Sequence, residues 1–171
     1  MSFFSVVVPM LYGPGIERLI ESLERQTIGR AQYEVIIVGM ERKERAYTSD
    51  LVHFDRTSHP LSPASARNRG AAQAVGDVIA FTDADCVARP NWLAVLADRF
   101  ADPPVTVIGG GVEFDTHGYW AFADNLSMFH AYMAHLPPGE RRQLPSLNLA
   151  IRRDVFMQLG GFDENYPRPS G

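Results

Sequence analysis

The chain has 171 residues, a formal net charge of −4 and 46% hydrophobic residues, which fits a folded domain and excludes a wholly disordered chain. Its mild acidity excludes the concentrated basic face that nucleic-acid binding usually requires. The one cysteine, Cys86, excludes an internal disulfide, and no Cys and His residues have the spacing of a structural zinc site.

The sequence also contains no segment that is typical of membrane insertion. No window reaches ~18 uninterrupted apolar residues, so no membrane span is predicted. The apolar run at residues 3–9 is too short for the core of a signal peptide, and no basic residue precedes it. We therefore expect a cytoplasmic protein and leave peripheral association with a membrane open.

Short apolar runs alternate with amphipathic stretches along the chain, which is typical of the strand–helix units of a parallel sheet. The predicted strands are residues 3–8, 35–38, 51–55, 78–82, 105–108 and 147–151. The predicted helices follow Gly13-Pro14-Gly15, begin at Ser62-Pro63 and at Pro90, and cover 117–135 and 153–159. The aromatic residues of 117–135 are expected mostly in the core. The pattern predicts one α/β domain over 1–171, with a mostly parallel sheet flanked by helices.

Two acidic residues, Asp83 and Asp85, come directly after the fourth predicted strand. Residues two apart on an extended backbone point the same way, and open α/β sheets bind ligands beyond the carboxyl ends of their strands. Two carboxylates that converge there repel each other unless a cation lies beside them, and hard oxygen ligands suit Mg²⁺ or Mn²⁺. Equally, one Asp could cap the following helix while the other makes an ordinary hydrogen bond. The spacing alone leaves both interpretations open.

The helix that begins at Ser62-Pro63 carries an arginine among small residues. Arg67 shares a stripe with alanines three, four and seven positions away, so this face can approach a sheet or a ligand closely. An arginine buried there needs an anion, because an unpaired buried charge is unfavourable. The anion is either Asp83 or Asp85 in a salt bridge, or else a ligand phosphate or nucleotide base. Arg69 points elsewhere and is expected in solvent.

Several motifs along the chain form a recognisable set. The helix segment 65–70, Ser-Ala-Arg-Asn-Arg-Gly, precedes a strand that ends in Asp83-Ala84-Asp85. A proline and a tryptophan–leucine pair follow at 90–93. Residues 148–153 form a short strand motif, and a Gly-Gly-Phe-Asp-Glu run lies at 160–164. Together, from residue 4 to the end of the chain, they resemble the inverting family-two glycosyltransferases, whose nucleotide-diphospho-sugar transferase fold (GT-A, Rossmann-like) carries an Asp-X-Asp metal motif.

The resemblance implies metal-dependent transfer of a sugar from a nucleotide-diphosphate donor, UDP-sugar by default, to a saccharide or other hydroxyl acceptor with inversion. Asp85, with Asp83, would hold Mn²⁺ or Mg²⁺ against the donor diphosphate. The residues implied to bind the nucleotide sugar are Pro9, Tyr12, Glu41, Arg67, Asp83 and Ala84. Those implied on the acceptor side are Gly110, Gly111 and Asn148. The donor-binding part would span about 1–110, and the start of the acceptor part about 111–171.

The chain departs from the family pattern in two places near the expected nucleotide. The end of the second strand holds Gly39-Met40 where family members usually have an acidic residue that reads the base, so Glu41 is the nearest carboxylate. The first-strand tyrosine, Tyr12, is displaced by one position.

The third departure concerns the general base, which the family places in a Glu-Asp pair after the Gly-Gly-Phe-Asp-Glu turn. The sequence stops at Gly171, so the base is expected beyond it, and Asp163 and Glu164 are expected to cap or brace the turn. A non-catalytic or incomplete nucleotide-sugar-binding domain is therefore an alternative. A haloacid-dehalogenase-like phosphatase is a further one, since Asp-X-Asp-X-Val at 83–87 resembles its nucleophile loop, although Lys43 lies upstream where that family has a downstream lysine.

Overall fold

The fold is taken from a computed structural model that describes residues 3–12, 15–41, 49–114 and 119–165, without the side chains of 119–121. The strands are β1 (Phe4–Leu11), β2 (Tyr33–Met40), β3 (Val52–Arg56), β4 (Val78–Thr82), β5 (Val107–Gly109) and β6 (Asn148–Arg152). The helices are α1 (Ile16–Glu24), α2 (Pro63–Gln73), α3 (Trp92–Phe100), α4 (Tyr119–Phe129) and α5 (Arg153–Gln158), with 3₁₀ turns at Arg30–Gln32 and His130–Tyr132. The predicted Gly13-Pro14 opening of the first helix lies outside the described residues.

The beginning of α2 follows from its capping residues. The Ser65 N–H donates to the Ser62 hydroxyl at 3.0 Å, which satisfies one of the free amides at the start of the helix. Pro63 occupies the first turn, where its missing N–H has no helical partner to lose. The predicted start of this helix is therefore confirmed.

The six strands form one sheet in the order β3-β2-β1-β4-β6-β5. β1 to β4 are parallel to one another, whereas β6 runs antiparallel to both β4 and β5. The order reverses at β1, because β2 and β3 extend the sheet on one side and β4 extends it on the other. In open α/β sheets such a reversal opens a crevice beyond the carboxyl ends of the two strands.

Helices cover both faces of the sheet, and the central strands β1, β2 and β4 are buried from both sides. On one face Val6 and Val8 of β1 pack in a cluster with apolar residues of α1 and α3. On the other face Val7 packs in a second cluster with residues of α2 and α5, including Ala71 and Phe156. The prediction of a mostly parallel sheet flanked by helices is confirmed. None of the described helices combines the length and the apolar character needed to cross a membrane.

The region predicted as one helix over 117–135 differs from the prediction. Its described part is a shorter helix, α4, followed by the 3₁₀ turn, and α4 mainly contacts that turn rather than the sheet. Apolar side chains on α4 are consequently exposed, with Met128 at 61% and Phe122 at 36%. The expectation of a core position for these aromatic residues is wrong at Phe122.

Candidate functional site

The sheet brings the predicted site residues to one edge. Tyr12 follows the carboxyl end of β1, Met40 ends β2, and Asp83 follows β4, so all three lie at the same end of parallel strands. Asn148 begins the antiparallel β6 and is paired with Thr82, which places it at this edge as well. The edge coincides with the point where the strand order reverses, and it is therefore the expected place for a ligand.

The acidic turn begins directly after the buried end of β4. A hydrogen bond of 3.0 Å from the Cys86 N–H to the Asp83 carbonyl closes it. The Asp83 side chain is 34% exposed, Asp85 is exposed, and Ala84 packs partly against the core. Burial raises the pKa of the Cys86 thiol, so this residue stays protonated and packs as a small apolar group. Both carboxylates are thus held on a short turn at the mouth of the crevice.

Arg67 lies beside this turn and is only 9% exposed at its side chain. Its Nη2 donates to Asp83 Oδ1 at 2.5 Å, and its Cζ lies 5.8 Å from the centre of the Phe162 ring. Its buried Nε has no hydrogen-bond partner within the part of the chain that the structure describes. The salt bridge expected as one alternative is therefore present, and a donor group of the guanidinium is left over for a further acceptor.

Close packing of α2 explains why Arg67 reaches Asp83. A Cβ at Gly70 would lie 2.5 Å from a Val7 side-chain carbon and 3.2 Å from one of Val38, so only glycine permits this approach to β1 and β2. Arg69 is exposed, as expected, but it also forms a two-pronged ion pair with Asp55 at 2.6 and 2.8 Å, which the sequence did not indicate. Its side chain remains 52% exposed, but it ties α2 to β3.

Tyr12 adopts an unusual backbone conformation at the end of β1. Its φ is 51°, in the left-handed region that side chains other than glycine rarely occupy. The Tyr12 N–H donates to the Met40 carbonyl at 3.0 Å, and the phenol contacts Met40 Sδ at 3.4 Å. Pro9 is half-buried within β1, opposite Val38, and Glu41 is half-buried directly after β2. These predicted nucleotide contacts therefore lie at or near the edge that carries Asp83.

The predicted acceptor-side residues contact one another. Asn148 Oδ1 accepts from Trp92 Nε1 at 3.0 Å, and its Nδ2 donates to the Gly111 carbonyl at 2.9 Å. The Gly110 N–H donates to the Asn148 carbonyl at 2.8 Å, and a Cβ at Gly110 would lie 2.2 Å from Asn148 Nδ2. Asn148 thus braces the chain leaving β5 against α3, next to the acidic turn. Its role in binding an acceptor stays a prediction.

A contact that the sequence did not reveal joins α2 to the turn at residues 160–164, which we name the clasp turn. Asn68 exchanges two hydrogen bonds of 2.8 Å with the main chain of Phe162. Glu164 accepts hydrogen bonds from Asn68 and from Ser65, at 2.9 and 2.8 Å, and these bonds lower its pKa. The expectation that Glu164 braces this turn is confirmed. The Asn in the helix motif was visible in the sequence, but nothing nearby indicated its partner.

The donor set at the acidic turn is compatible with a divalent cation. Asp83 and Asp85 offer hard carboxylate oxygens. Among the described residues no third Asp, Glu, His or Cys joins them in a metal-binding group, so these two carboxylates are the ligands on offer. Mg²⁺ commonly binds through one or two carboxylates together with ligand phosphates and water. The two carboxylates therefore fit a cation that arrives with a phosphate-bearing ligand.

Comparison with known proteins assigns the family. The family model described as glycosyl transferase family 2 matches residues 5–160. The chain belongs to glycosyltransferase family 2. Glycosyltransferase AglE of Haloferax volcanii is 25% identical to the chain over 171 aligned residues. The alignment covers 95% of the chain and 56% of AglE. A glucosyl-dolichyl phosphate glucuronosyltransferase of the same organism is 26% identical over 167 residues, and the alignment covers 87% of the chain and 51% of that relative. The chain thus spans about half the length of these relatives.

Solved structures show that this family member has the expected fold. S. aureus TarS 1-349 has a TM-score of 0.74 at 17% identity, with 98% of this chain and 52% of that chain covered. Mannosyltransferase PcManGT from Pyrobaculum calidifontis has a TM-score of 0.72 at 21% identity, with 96% of this chain and 48% of PcManGT covered. The predicted GT-A fold class is confirmed by these similarities.

Proposed function

We propose that this chain provides the nucleotide-sugar site of a glycosyltransferase that moves a sugar to an acceptor hydroxyl with inversion. Family membership supports this class of reaction. The observation that carries the proposal for this chain is the group formed by Asp83, Asp85 and Arg67 at the carboxyl end of β4. The family match also sets aside the phosphatase alternative.

The donor is proposed to be a nucleotide-diphosphate sugar. Structures of TarS are described in complex with UDP and with UDP-GlcNAc, and that of PcManGT with GDP-Man and Mn²⁺. We keep a UDP-sugar as the default for this chain, with Pro9, Tyr12 and Glu41 beside the nucleotide. The second strand ends in Gly39-Met40, where the family usually has an acidic residue that reads the base. Base selection is therefore assigned to contacts around Tyr12, Met40 and Glu41.

The charged residues have separate tasks in this proposal. Asp85 and Asp83 hold Mn²⁺ or Mg²⁺, and such a cation supplies positive charge that offsets the charge on a departing diphosphate. Arg67 donates from its guanidinium to the anionic donor, and its fixed charge and planar donors suit phosphate or base. Gly110, Gly111 and Asn148 shape the acceptor side. We assign none of these residues the base that deprotonates the acceptor.

Titration calorimetry with UDP and with GDP, each with Mn²⁺ and with EDTA, tests the donor site. We expect Mn²⁺-dependent binding of at least one nucleotide. Asp85→Asn should weaken that binding about tenfold or more, because a ligand of the cation is lost. Asp98→Asn, a matched change of an exposed acid in α3, should leave it unchanged. If neither nucleotide binds with Mn²⁺, or if both variants bind alike, the proposal is wrong.

A further inference from the structure

Phe162 of the clasp turn is packed so that its ring has little freedom. The ring lies edge-on to Phe81 at 5.1 Å between centres, and it is inclined by 63° to the Phe156 ring at 5.5 Å. Phe81 belongs to β4, only two residues before Asp83, and Phe156 belongs to α5. Phe162 is therefore fixed against the strand that ends in the acidic turn, and the Arg67 guanidinium lies 5.8 Å from its ring centre.

The main chain of Phe162 is held as firmly as its ring. Asn68 Nδ2 donates to the Phe162 carbonyl, and the Phe162 N–H donates to Asn68 Oδ1, both at 2.8 Å. Gly161 has a φ of 80°, and a Cβ there would lie 2.6 Å from Asn68 Oδ1. The glycine therefore permits both the left-handed turn and the close approach of the Asn68 amide. Asn68 follows Arg67 directly in α2. The same short segment of helix therefore hydrogen-bonds to the clasp turn and places the Arg67 guanidinium beside the Phe162 ring.

Arg67 itself has few polar restraints. Its bond to Asp83 fixes one end of the guanidinium, while the buried Nε has no partner among the described residues. A cation over an aromatic face is attracted to the ring and is shielded from water on that side. We propose that Phe162 is a positioning residue, held by Asn68, that fixes the Arg67 guanidinium in the orientation that binds the donor. The part of the proposal that concerns donor binding rests on the proposed function.

A purely structural role of Phe162 makes a different prediction from a positioning role. If the ring only fills the apolar layer, removing it should act through stability, as at any neighbouring phenylalanine. If it positions Arg67, the effect should be visible at the guanidinium itself and should depend on the presence of an aromatic face. Phe156→Leu is a matched control, because Phe156 touches the Phe162 ring and belongs to the same apolar cluster.

The experiment has one readout without ligand and one with it. In the ligand-free chain, the NMR signal of the Arg67 Nε–H, assigned by its loss in Arg67→Lys, reports exchange with water. Phe162→Leu should accelerate this exchange several-fold, and Phe162→Tyr should restore it. Phe156→Leu loosens the Phe162 ring but leaves it beside Arg67, so it should accelerate the exchange clearly less than Phe162→Leu. Affinity for UDP or GDP with Mn²⁺ should fall about 5- to 10-fold in Phe162→Leu, the range of one cation–π contact, and recover in Phe162→Tyr.

The outcomes separate the two proposals. Equal effects of Phe162→Leu and Phe156→Leu on the Arg67 signal, or no recovery with tyrosine, would overturn the positioning role. Exchange that follows the expected order in a chain that binds neither nucleotide would support the positioning of Arg67 and overturn the proposed function. Asn68→Ala, which frees the Phe162 main chain, should accelerate exchange in the same direction, and an unchanged rate would show that Asn68 does not hold the ring in place.

Discussion

Replacing Asp83 by asparagine should destabilise the fold, whereas the same replacement two residues later, at Asp85, should not. Asp83 is the anion of a short ion pair with Arg67, whose side chain is 9% exposed. Asp85 is exposed on the same turn. The two variants remove the same charge from nearly the same place, so a difference between them isolates the contribution of the Arg67 contact.

The structure sets the expected size of the effect. A hydrogen bond that involves a charged group contributes roughly 1.5–3 kcal/mol, and breaking a fully buried pair costs about 3–5 kcal/mol. Asp83 is 34% exposed, so solvent screens the pair and the upper range does not apply. Asparagine also keeps an oxygen that can accept the Arg67 hydrogen bond. We therefore expect Asp83→Asn to lower the free energy of unfolding by about 1–2 kcal/mol, and Asp85→Asn to change it by less than about 0.5 kcal/mol.

Urea unfolding in EDTA, followed by circular dichroism, measures both variants without a bound cation. The same pair of variants in an Arg67→Met background completes a double-mutant cycle. There the loss from Asp83→Asn should fall below about 0.5 kcal/mol, because no buried cation remains to be left unpaired. Equal losses for the two variants in the original chain, or an undiminished loss at Asp83 in the Arg67→Met background, would refute the electrostatic reasoning.

Three further changes test other parts of the site. Gly70→Ala should destabilise by about 1–2 kcal/mol in urea unfolding, because overlap with Val7 outweighs the gain in helix propensity; unchanged or raised stability would contradict the close approach of α2. Asn148→Ala should cost about 1–2 kcal/mol through its two lost hydrogen bonds, and an unaltered midpoint would show that it braces nothing. The hydrogen bond from Arg69 lowers the pKa of Asp55 in the folded chain. The ionised Asp55 side chain therefore stabilises the fold at pH values above its ordinary pKa, and this stabilisation is lost as the carboxylate is protonated at lower pH. The stability gap between the original chain and Asp55→Asn should therefore stay constant down to about pH 5 and shrink as the pH falls further, through the ordinary pKa of Asp55 and below it. A gap that stays constant down to about pH 3 would exclude this ion pair as its source.

The parts of the fold that local pattern determines were predictable. Ser62-Pro63 signals the start of α2 because a side-chain acceptor and a missing N–H both suit that position. The buried strand before Asp83 is readable as a run of apolar residues. The parallel strands then place the acidic turn at the edge where open α/β sheets bind ligands. The ion pair between Arg67 and Asp83 was one of two stated alternatives, since a small-residue stripe implies burial and burial implies an anion.

Contacts between distant segments were not predictable in the same way. Periodicity shows which face of an element is apolar, but it does not show which polar group from elsewhere meets that face. Arg69 was expected in solvent because it points away from the Arg67 stripe, and its side chain is 52% exposed. Its ion pair with Asp55 was not foreseen, because Asp55 meets it only through the position of β3 beside β2. The hydrogen bonds between Asn68 and the Phe162 main chain were unpredictable for the same reason, since the fold alone brings these distant segments together. The antiparallel direction of β6 was also hidden, because a short apolar strand reads alike in either direction.

The two expected parts of the chain, about 1–110 and 111–171, share one sheet and both contribute to the proposed site. β6 comes from the second part, yet it lies between β4 and β5 of the first and hydrogen-bonds to both. The clasp turn also comes from the second part, and its Phe162 ring covers the Arg67 guanidinium of the first. A fragment that stops at residue 110 would therefore expose one side of β4 and uncover Arg67. If donor binding depends on Arg67 as proposed, it depends on the segment beyond residue 110 as well. Residues of both parts therefore build the proposed donor site, and the donor part is not a structurally independent unit.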